Sequence, residues 1–250
     1  MNFKPIFGFI AGAFLALNLN ASTIKKGELI VATEGTYSPY SFYDEKGELV
    51  GYDVDIAKAV AKKLNLKIEF LTAPWDAMLA AFDAGKADVV FNQVSINEDR
   101  KKKYDMSVPY TMPYPVIVVH KDNNDIKSFA DLKGKKSVHS ATSNWAAIAE
   151  KNGATVVVAD GFSKGVELVI SKRADDTIND NVTFFDYIKQ RPNAPLKIAY
   201  TSNEPMPTAA LLKKGNTELL EAINKALDEL KAEGKISEIS MKYFGKDISK

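Results

Sequence analysis

One order of predicted elements occurs twice along the chain. In each copy a strand, a helix, a strand, a helix and a strand with a polar end follow one another. The first copy runs from ELIVAT to ADVVFNQ, and the second runs from KKSVHS to ADDTIND, with apolar residues at strand or helix spacing. Strands that alternate with helices favour mostly parallel sheets. We therefore predict an α/β protein of two lobes, each built on a mostly parallel sheet.

Two extended stretches that contain proline lie after the first copy and after the second. SVPYTMPYP spans residues 107–115, and TSNEPMP spans 201–207. If both connect the lobes, the C-terminal tail packs on the first lobe, which then comprises 22–112 and 206–250, with 113–205 as the second lobe. Two crossings form a hinge, and ligands of open α/β sheets bind beyond the carboxyl ends of the strands. We therefore expect an interlobe ligand cleft.

The first 21 residues show the three parts of a secretory signal peptide. MNFK carries one lysine, PIFGFIAGAFLALNL is uncharged and apolar, and NLNAS supplies small Ala21 before a cleavage site. The alternative is an uncleaved membrane anchor, although the apolar run is short for a span of about 20 residues. The sequence has no cysteine, so we expect no disulfide and no lipid on an N-terminal cysteine. The predicted location is the periplasm.

The balance of charges excludes several functions. Thirty-three Lys and Arg residues face 32 Asp and Glu residues, which gives a net charge of +1. A nucleic-acid binder or a binder of anionic membranes needs a one-sided field. The two histidines, His120 and His139, lack the spacing of a metal site, and no glycine-rich phosphate loop or nucleophile elbow is present. We expect neither a cofactor nor a nucleic-acid partner.

Polar residues end the last strand of each copy and are expected to meet at the cleft. Asn92 and Gln93 follow the apolar run in the first copy, and Asn179 and Asp180 follow it in the second. A carboxylate at such a strand end binds a ligand ammonium or caps the helix that is predicted to start at Val182. The sequence leaves both roles of Asp180 open.

A basic run, Arg100 to Lys103, follows the first polar strand end. Ser95 to Glu98 fits a capping box, which predicts a helix that begins after Ser95. Successive helical residues point about 100° apart, so the four cations cannot share one face. Because a guanidinium matches a carboxylate with two parallel hydrogen bonds, Arg100 is the candidate anion ligand. The three lysines are interpreted as a solvated face, and for Arg100 that role is the alternative.

Four further candidates lie beside predicted strands and helices. Tyr37 and Trp75, in predicted loops after strands, offer aromatic faces to an apolar or sulfur-bearing group or serve only in packing. Glu34 follows ELIVAT directly and lines the cleft or closes a turn. Ser143, at a predicted helix N-terminus, offers its hydroxyl and backbone N–H groups to an anion or caps the helix.

A family resemblance is carried by four stretches: EGTYSPYSFYDEKGELVGYDVDIAKAVAKKL, PWDAMLAAFDAGKADVV, NQVSINEDRKKKYDMSVPYT and LLKKGNTELLEAINKALDELKAEGKISEISMKYFG. In this order they closely resemble the periplasmic substrate-binding proteins of polar amino-acid ABC transporters, solute-binding protein family 3. The resemblance covers essentially the whole mature chain. It implies a two-lobed periplasmic binding protein type II fold that closes on a free L-amino acid. It also implies a monomer that delivers the amino acid to an ABC permease in the inner membrane.

The same resemblance implies roles for ten residues. Arg100 would bind the α-carboxylate, and Asp180 would bind the α-ammonium. The other eight would surround them: Ser95, Ser143 and Thr142 at the carboxylate, Tyr37 and Trp75 on the ligand side chain, and Glu34, Asn92 and Gln93 at its border.

Within the family, EGTYSPYSF together with NQVSINEDRKKKYD is most similar to the cystine- and cysteine-binding branch. HSATSNW departs from the glycine-rich form that is common in the family, and Asp176 stands where a small residue is usual. Glutamine, histidine and arginine are the alternative ligands. The enzymatic alternative is a dehydratase of the same fold, with Glu34 or Asp180 as its general acid.

Overall fold

The computed structural model describes residues 22–250, and the predicted signal peptide lies outside them. The strands are β1 (Glu28–Thr33), β2 (Thr36–Tyr37), β3 (Ser41–Tyr43), β4 (Leu49–Val50), β5 (Lys67–Thr72), β6 (Val89–Ser95), β7 (Tyr104–Met106), β8 (Pro115–His120), β9 (Lys136–His139), β10 (Thr155–Val158), β11 (Asp176–Asp180), β12 (Leu196–Thr201) and β13 (Thr208–Lys213). The helices are α1 (Tyr52–Lys63), α2 (Trp75–Asp83), α3 (Glu98–Lys103), α4 (Asn144–Lys151), α5 (Gly161–Ile170), α6 (Asn181–Gln190), α7 (Thr217–Ala232), α8 (Lys235–Phe244) and one 3-10 helix (Phe129–Leu132).

The strands form two five-stranded sheets, one in each lobe. The first has the order β5-β1-β6-β13-β7, and the second has the order β10-β9-β11-β8-β12. A small antiparallel sheet of β2, β3 and β4 contains the predicted hairpin. The two crossings between the lobes run side by side, because Thr111 and Thr208 form a bridge and Met206 N donates to Pro113 O at 2.7 Å. The predicted boundaries at 112/113 and 205/206 stay a prediction.

In each large sheet four of the five strands run in one direction, as predicted for a mostly parallel sheet, and one strand, β13 or β8, runs opposite to them. In the first, β1 pairs in parallel with β5 and β6, but β13 is antiparallel to β6 and β7. In the second, β9 pairs in parallel with β10 and β11, but β8 is antiparallel to β11 and β12. Strands β8 and β13 enter their sheets directly from a crossing, with no crossover helix to turn them parallel. The sequence reading had not assigned β8 and β12 as strands.

Helices cover both faces of each large sheet, as an α/β fold requires. In the first lobe, α1 packs against α7 through Ile56, Val60 and Ile223, while α2 buries Met78 and Phe82 on the opposite face. Complete burial of an apolar side chain of this size contributes about 1.5–3 kcal/mol. In the second lobe, α5 and α6 cover one face, and α4 and the 3-10 helix cover the other. Within residues 22–250, none of the helices has the length and apolar character needed to cross a membrane.

The helix that carries Arg100 begins later than predicted, and the capping box is wrong. Ser95 is the last residue of β6, and Asn97 is the N-cap of α3, with its side chain accepting a hydrogen bond from Arg100 N at 2.8 Å. The chain stays extended past Ser95 because Ile96 N donates to Pro207 O at 2.8 Å. Ser143 is confirmed as the N-cap of α4, since its hydroxyl accepts from Trp145 N.

Candidate functional site

A cavity of about 60 Å³ lies between the two lobes. The first lobe lines it with five residues: Glu34, Tyr37, Trp75, Asn92 and Gln93. The second lobe contributes a larger set: His139, Ser140, Ser143, Asn144, Trp145, Gly161, Phe162, Ile178 and Asn179. The predicted cleft residues of the first lobe and Ser143 therefore share one cavity, whereas Arg100, Ser95, Thr142 and Asp180 lie beside it.

Asn92 and Gln93 are neighbours in β6, yet both line the cavity. In a regular strand, successive side chains point to opposite faces of the sheet. Gln93 has a φ of 48°, and the pairing of β6 with β13 shifts its register between Ala209 and Leu211. An irregularity of this kind bends a strand and redirects its side chains. It explains how two consecutive amides reach the same cavity.

The amide of Gln93 is held by the hinge. Its Nε2 donates to Asp53 Oδ1 at 2.6 Å and lies 3.3 Å from Thr111 Oγ1, and its Oε1 accepts from Thr208 Oγ1 at 3.0 Å. Thr111 and Thr208 belong to the two crossings. Gln93 thus connects the cavity wall with the hinge, while its predicted contact with a ligand stays a prediction.

Glu34 is a buried acid in the cavity wall. Asn92 Nδ2 donates to Glu34 Oε2 at 2.7 Å. The amide of Asn92 is oriented by Thr33 Oγ1 and Glu34 N, which donate to its Oδ1 at 2.9 and 2.8 Å. Burial raises the pKa of Glu34 to about 7, although the hydrogen bond from Asn92 opposes the rise. A cationic group in the cavity would favour the ionised carboxylate.

Arg100 is a half-buried cation without an acidic partner among residues 22–250. Its Nη1 donates to the backbone carbonyl of Ser95 at 2.9 Å, and Nη2 has no hydrogen-bond partner in this part of the chain. The guanidinium carbon lies 5.4 Å from the ring centroid of Trp75, which lines the cavity. Burial lowers the pKa of Arg100 to about 10. These contacts leave N–H donors available to an anion.

The three lysines after Arg100 behave as predicted. Lys101 and Lys102 pair with Glu98 and Asp99 within α3, and Lys103 pairs with Asp83. All three side chains are more than half exposed. The solvated lysine face is therefore confirmed, and Arg100 differs from its neighbours by its burial.

Asp180 caps α6 and at the same time joins the two lobes. Its Oδ1 accepts from Thr183 N at 2.8 Å, which confirms the capping alternative. The same oxygen accepts from Tyr40 OH at 3.0 Å, and Oδ2 accepts from Tyr37 OH at 2.9 Å. Tyr37 itself lies in β2, not in a loop as predicted. The role of Asp180 toward an ammonium stays a prediction.

A second set of interlobe bonds surrounds Asp76, in the first turn of α2. Asp76 Oδ2 accepts from Ala141 N at 3.0 Å, and Oδ1 accepts from Thr142 N at 2.9 Å and from Thr142 Oγ1 at 2.6 Å. The hydroxyl of Thr142, predicted to assist a carboxylate, is thus bonded to the opposite lobe. Trp75 is the first residue of α2, and not part of a loop as predicted.

The sequence reading missed most of the second lobe's contribution to the cavity. Asn144 and Trp145 open α4, Gly161 and Phe162 open α5, and His139 ends β9. These helices follow strands of the second sheet, so their N-termini lie at the carboxyl edge of that sheet. The carboxyl ends of β9 and β10 lie at the same edge as that of β11, so the residues that follow every strand of this sheet, and not only its last, are candidates for the cavity wall.

Comparison with known proteins finds one family of binding proteins that matches most of this chain. The family model of bacterial extracellular solute-binding proteins, family 3, matches residues 29–246. A probable amino-acid ABC transporter-binding protein of Haemophilus influenzae is 44% identical over 90% of this chain and 88% of its own length. The L-cystine-binding protein TcyA of Bacillus subtilis is 44% identical over 93% of this chain and 87% of its own length.

Two solved structures of nearly equal identity to this chain differ in how well they superpose on it. An ancestral arginine-binding protein bound to arginine is 43% identical, with a TM-score of 0.81 over 88% of this chain and 99% of that one. The L-cystine solute receptor of Neisseria gonorrhoeae in its unliganded open conformation is 42% identical, with a TM-score of 0.59 over 93% and 97%. At nearly equal identity, this chain therefore superposes better on the arginine-bound structure than on the unliganded open one. The interlobe hydrogen bonds agree that the lobes here are closed.

Proposed function

The chain belongs to family 3 of the bacterial extracellular solute-binding proteins, and we propose that it is the extracytoplasmic amino-acid-binding component of an ABC importer, with free cystine or cysteine as its ligand. The observation that carries the proposal is the distribution of charge. Arg100 is half-buried and forms no ion pair among residues 22–250, and two buried acids, Glu34 and Asp180, lie in or beside the same cavity. An α-amino acid supplies a carboxylate and an ammonium to such a set of groups.

The wall of the cavity supports a sulfur-bearing side chain. Trp75, Trp145 and Phe162 line it, and divalent sulfur makes favourable contacts with aromatic rings. Two relatives that match most of this chain are named for L-cystine. The arginine-bound neighbour is about as similar, and the Glu34 carboxylate also suits a guanidinium, so arginine is the ligand to test against cystine.

Binding and closure form one equilibrium in the proposed mechanism. Arg100 belongs to the first lobe and Asp180 to the second, so one zwitterion that contacts both stabilises the closed state. The closed protein then delivers its amino acid to an ABC permease in the inner membrane, from the periplasm and as a monomer. We propose binding without chemical conversion, and turnover of prephenate or arogenate by the purified protein would contradict this part.

Isothermal titration against the twenty amino acids and cystine tests the proposal, after bound ligand has been removed by partial unfolding and dialysis. Because the chain has no cysteine, cysteine can be titrated with a reductant that leaves the protein unchanged. We expect cystine or cysteine to bind most tightly, in the micromolar range or below. Tighter binding of arginine, glutamine or histidine would overturn the cystine assignment alone. No ligand tighter than millimolar would overturn the whole proposal.

The contacts of Asp76 predict a residue that controls closure without touching the ligand. Asp76→Ala removes three hydrogen bonds to the second lobe, and the freed groups are exposed enough to bind water in the open state. Hydrogen bonds to a charged group contribute about 1.5–3 kcal/mol, so the affinity for the tightest amino acid should fall at least about tenfold. Isothermal titration measures this loss.

Asp131→Ala is the matched control for Asp76. Asp131 also accepts from a backbone N–H and a hydroxyl, those of Lys127 and Ser128, but within the second lobe. Its affinity should stay at the wild-type value. Equal affinities of the two variants would mean that the Asp76 contacts do not contribute to closure.

A further inference from the structure

The second lobe contains a buried chain of three polar side chains beneath the cavity. Ser137 and His139 lie two residues apart in β9, and Asp176 of β11 is the register partner of Ser137. Residues at this spacing share one face of a sheet. Ser137 Oγ lies 2.5 Å from Asp176 Oδ1 and 2.8 Å from His139 Nε2. The three groups therefore form one continuous hydrogen-bonded relay.

Burial of these three polar side chains costs free energy of folding. Ser137 and Asp176 are fully buried, and Asp176 Oδ2 has no hydrogen-bond partner among residues 22–250. Burial raises the pKa of Asp176 to about 7; the Ser137 hydroxyl opposes the rise, Asp175 adds to it and Lys135 opposes it. A buried acid with an unpartnered oxygen destabilises the fold. Such a cost is expected where a side chain has a function.

The relay ends at the ligand cavity. His139 is the member that lines it, next to residues of both lobes. Its Nε2 is bonded to Ser137, whereas its Nδ1 has no hydrogen-bond partner within the described range and is not among the fully buried unpartnered atoms. Burial lowers the pKa of His139 to about 3, so the imidazole is neutral. A neutral imidazole carries one N–H donor and one acceptor nitrogen.

Counting protons along the relay decides which nitrogen is the acceptor. When Asp176 is ionised, it accepts the single hydroxyl proton of Ser137. Ser137 Oγ then accepts the proton of His139 Nε2, and Nδ1 keeps a free lone pair. A neutral Asp176 that donates would reverse both bonds and place the proton on Nδ1. The protonation of Asp176 in β11 thus determines whether His139 Nδ1 is an acceptor or a donor toward a ligand.

We propose that His139 is a specificity-determining residue whose Nδ1 accepts a hydrogen bond from the ligand side chain, with Ser137 and Asp176 as positioning residues that hold the Nε2–H tautomer. The inference rests on the proposed amino-acid-binding function and narrows its substrate class. The ligand side chain must carry a donor, such as the thiol of cysteine or the second ammonium of cystine. A purely apolar side chain of the same size offers Nδ1 no hydrogen bond, and an unpaired buried acceptor costs binding free energy.

Affinity ratios test the contact. L-Cysteine and L-2-aminobutyrate have the same shape, but the second carries a methyl group in place of the thiol. The wild type should favour cysteine, and His139→Leu and Ser137→Ala should each lower that preference about fivefold, which is the value of one neutral hydrogen bond. Thr177→Val is the matched control, because Thr177 follows Asp176 in β11 and is a buried hydroxyl that donates to Val138 O. It should leave the ratio unchanged.

A nitrogen NMR spectrum at pH 8 tests the tautomer without any ligand. The chain has two histidines, so His120→Gln assigns the signals. We expect the Nε2–H form for His139 in the wild type and in Thr177→Val, and its loss in Ser137→Ala. An Nδ1–H form, or a ratio that His139→Leu does not change, would overturn the inference and leave the transport proposal intact. Absence of binding to any amino acid would overturn both.

Discussion

Replacement of Arg100 by alanine is expected to lower the affinity for the amino-acid ligand at least about 30-fold. Arg100 is half-buried, with its Nη2 fully buried; among residues 22–250 the guanidinium forms no ion pair and donates only to the carbonyl of Ser95. Truncation of one member of a buried, hydrogen-bonded charge pair costs about 2–5 kcal/mol of binding free energy. Isothermal titration of Arg100→Ala with the ligand found for the wild type measures the loss.

The stability of the ligand-free protein distinguishes a binding role from a structural one. Arg100 is a largely desolvated charge with no ion pair among residues 22–250, so its removal should change the Tm of the ligand-free protein by no more than about 3 °C, equivalent to about 1 kcal/mol. Lys102→Ala is the control within the same helix, since its pair with Asp99 is exposed and exposed pairs contribute about 0–1 kcal/mol. Retained affinity in Arg100→Ala, or a large loss of affinity in Lys102→Ala, would show that Arg100 is not the cation that binds the ligand.

Asp180→Ala is expected to reduce both stability and affinity. The substitution removes the cap of α6 and the acceptor of two tyrosine hydroxyls. A lost cap costs about 0.5–2 kcal/mol, and an unsatisfied buried group costs about 1–3 kcal/mol. Together these losses are about 1.5–5 kcal/mol, so at about 2–4 °C per kcal/mol the Tm should fall by roughly 3–20 °C. Thermal unfolding followed by circular dichroism measures this shift.

Asp180→Asn separates the two roles of this residue. Asparagine is as good a cap as aspartate, and it keeps an oxygen that can accept from Thr183 N and the Tyr40 hydroxyl. The variant should retain most of the wild-type Tm and still bind the amino acid at least about 30-fold more weakly, because the charge opposite the α-ammonium is gone. Wild-type affinity in Asp180→Asn would mean that Asp180 is a cap and a lobe contact only.

Local features of this protein followed from its sequence. The order of strands and helices within each of the two copies, the hairpin at Gly47 and the cap at Ser143 depend on residues that are close in the chain. The separation of Arg100 from its lysine neighbours followed from helix geometry alone. The capping box failed for a non-local reason, since a bond from Ile96 to Pro207 keeps the chain extended where local pattern favours a helix.

Tertiary structure decided which side chains meet. The antiparallel entry of β8 and β13 depends on where the chain crosses between lobes, and no local pattern contains that information. The bulge at Gln93, the bonds of Asp76 to Thr142, and the Tyr37 and Tyr40 contacts with Asp180 join residues that are distant in sequence. Spacing along a strand or helix determines which residues share a face, whereas the packing of two lobes determines what that face contacts. The sequence by itself therefore determined the architecture and the candidate charges, and only the closed tertiary structure decided which of them surround one cavity.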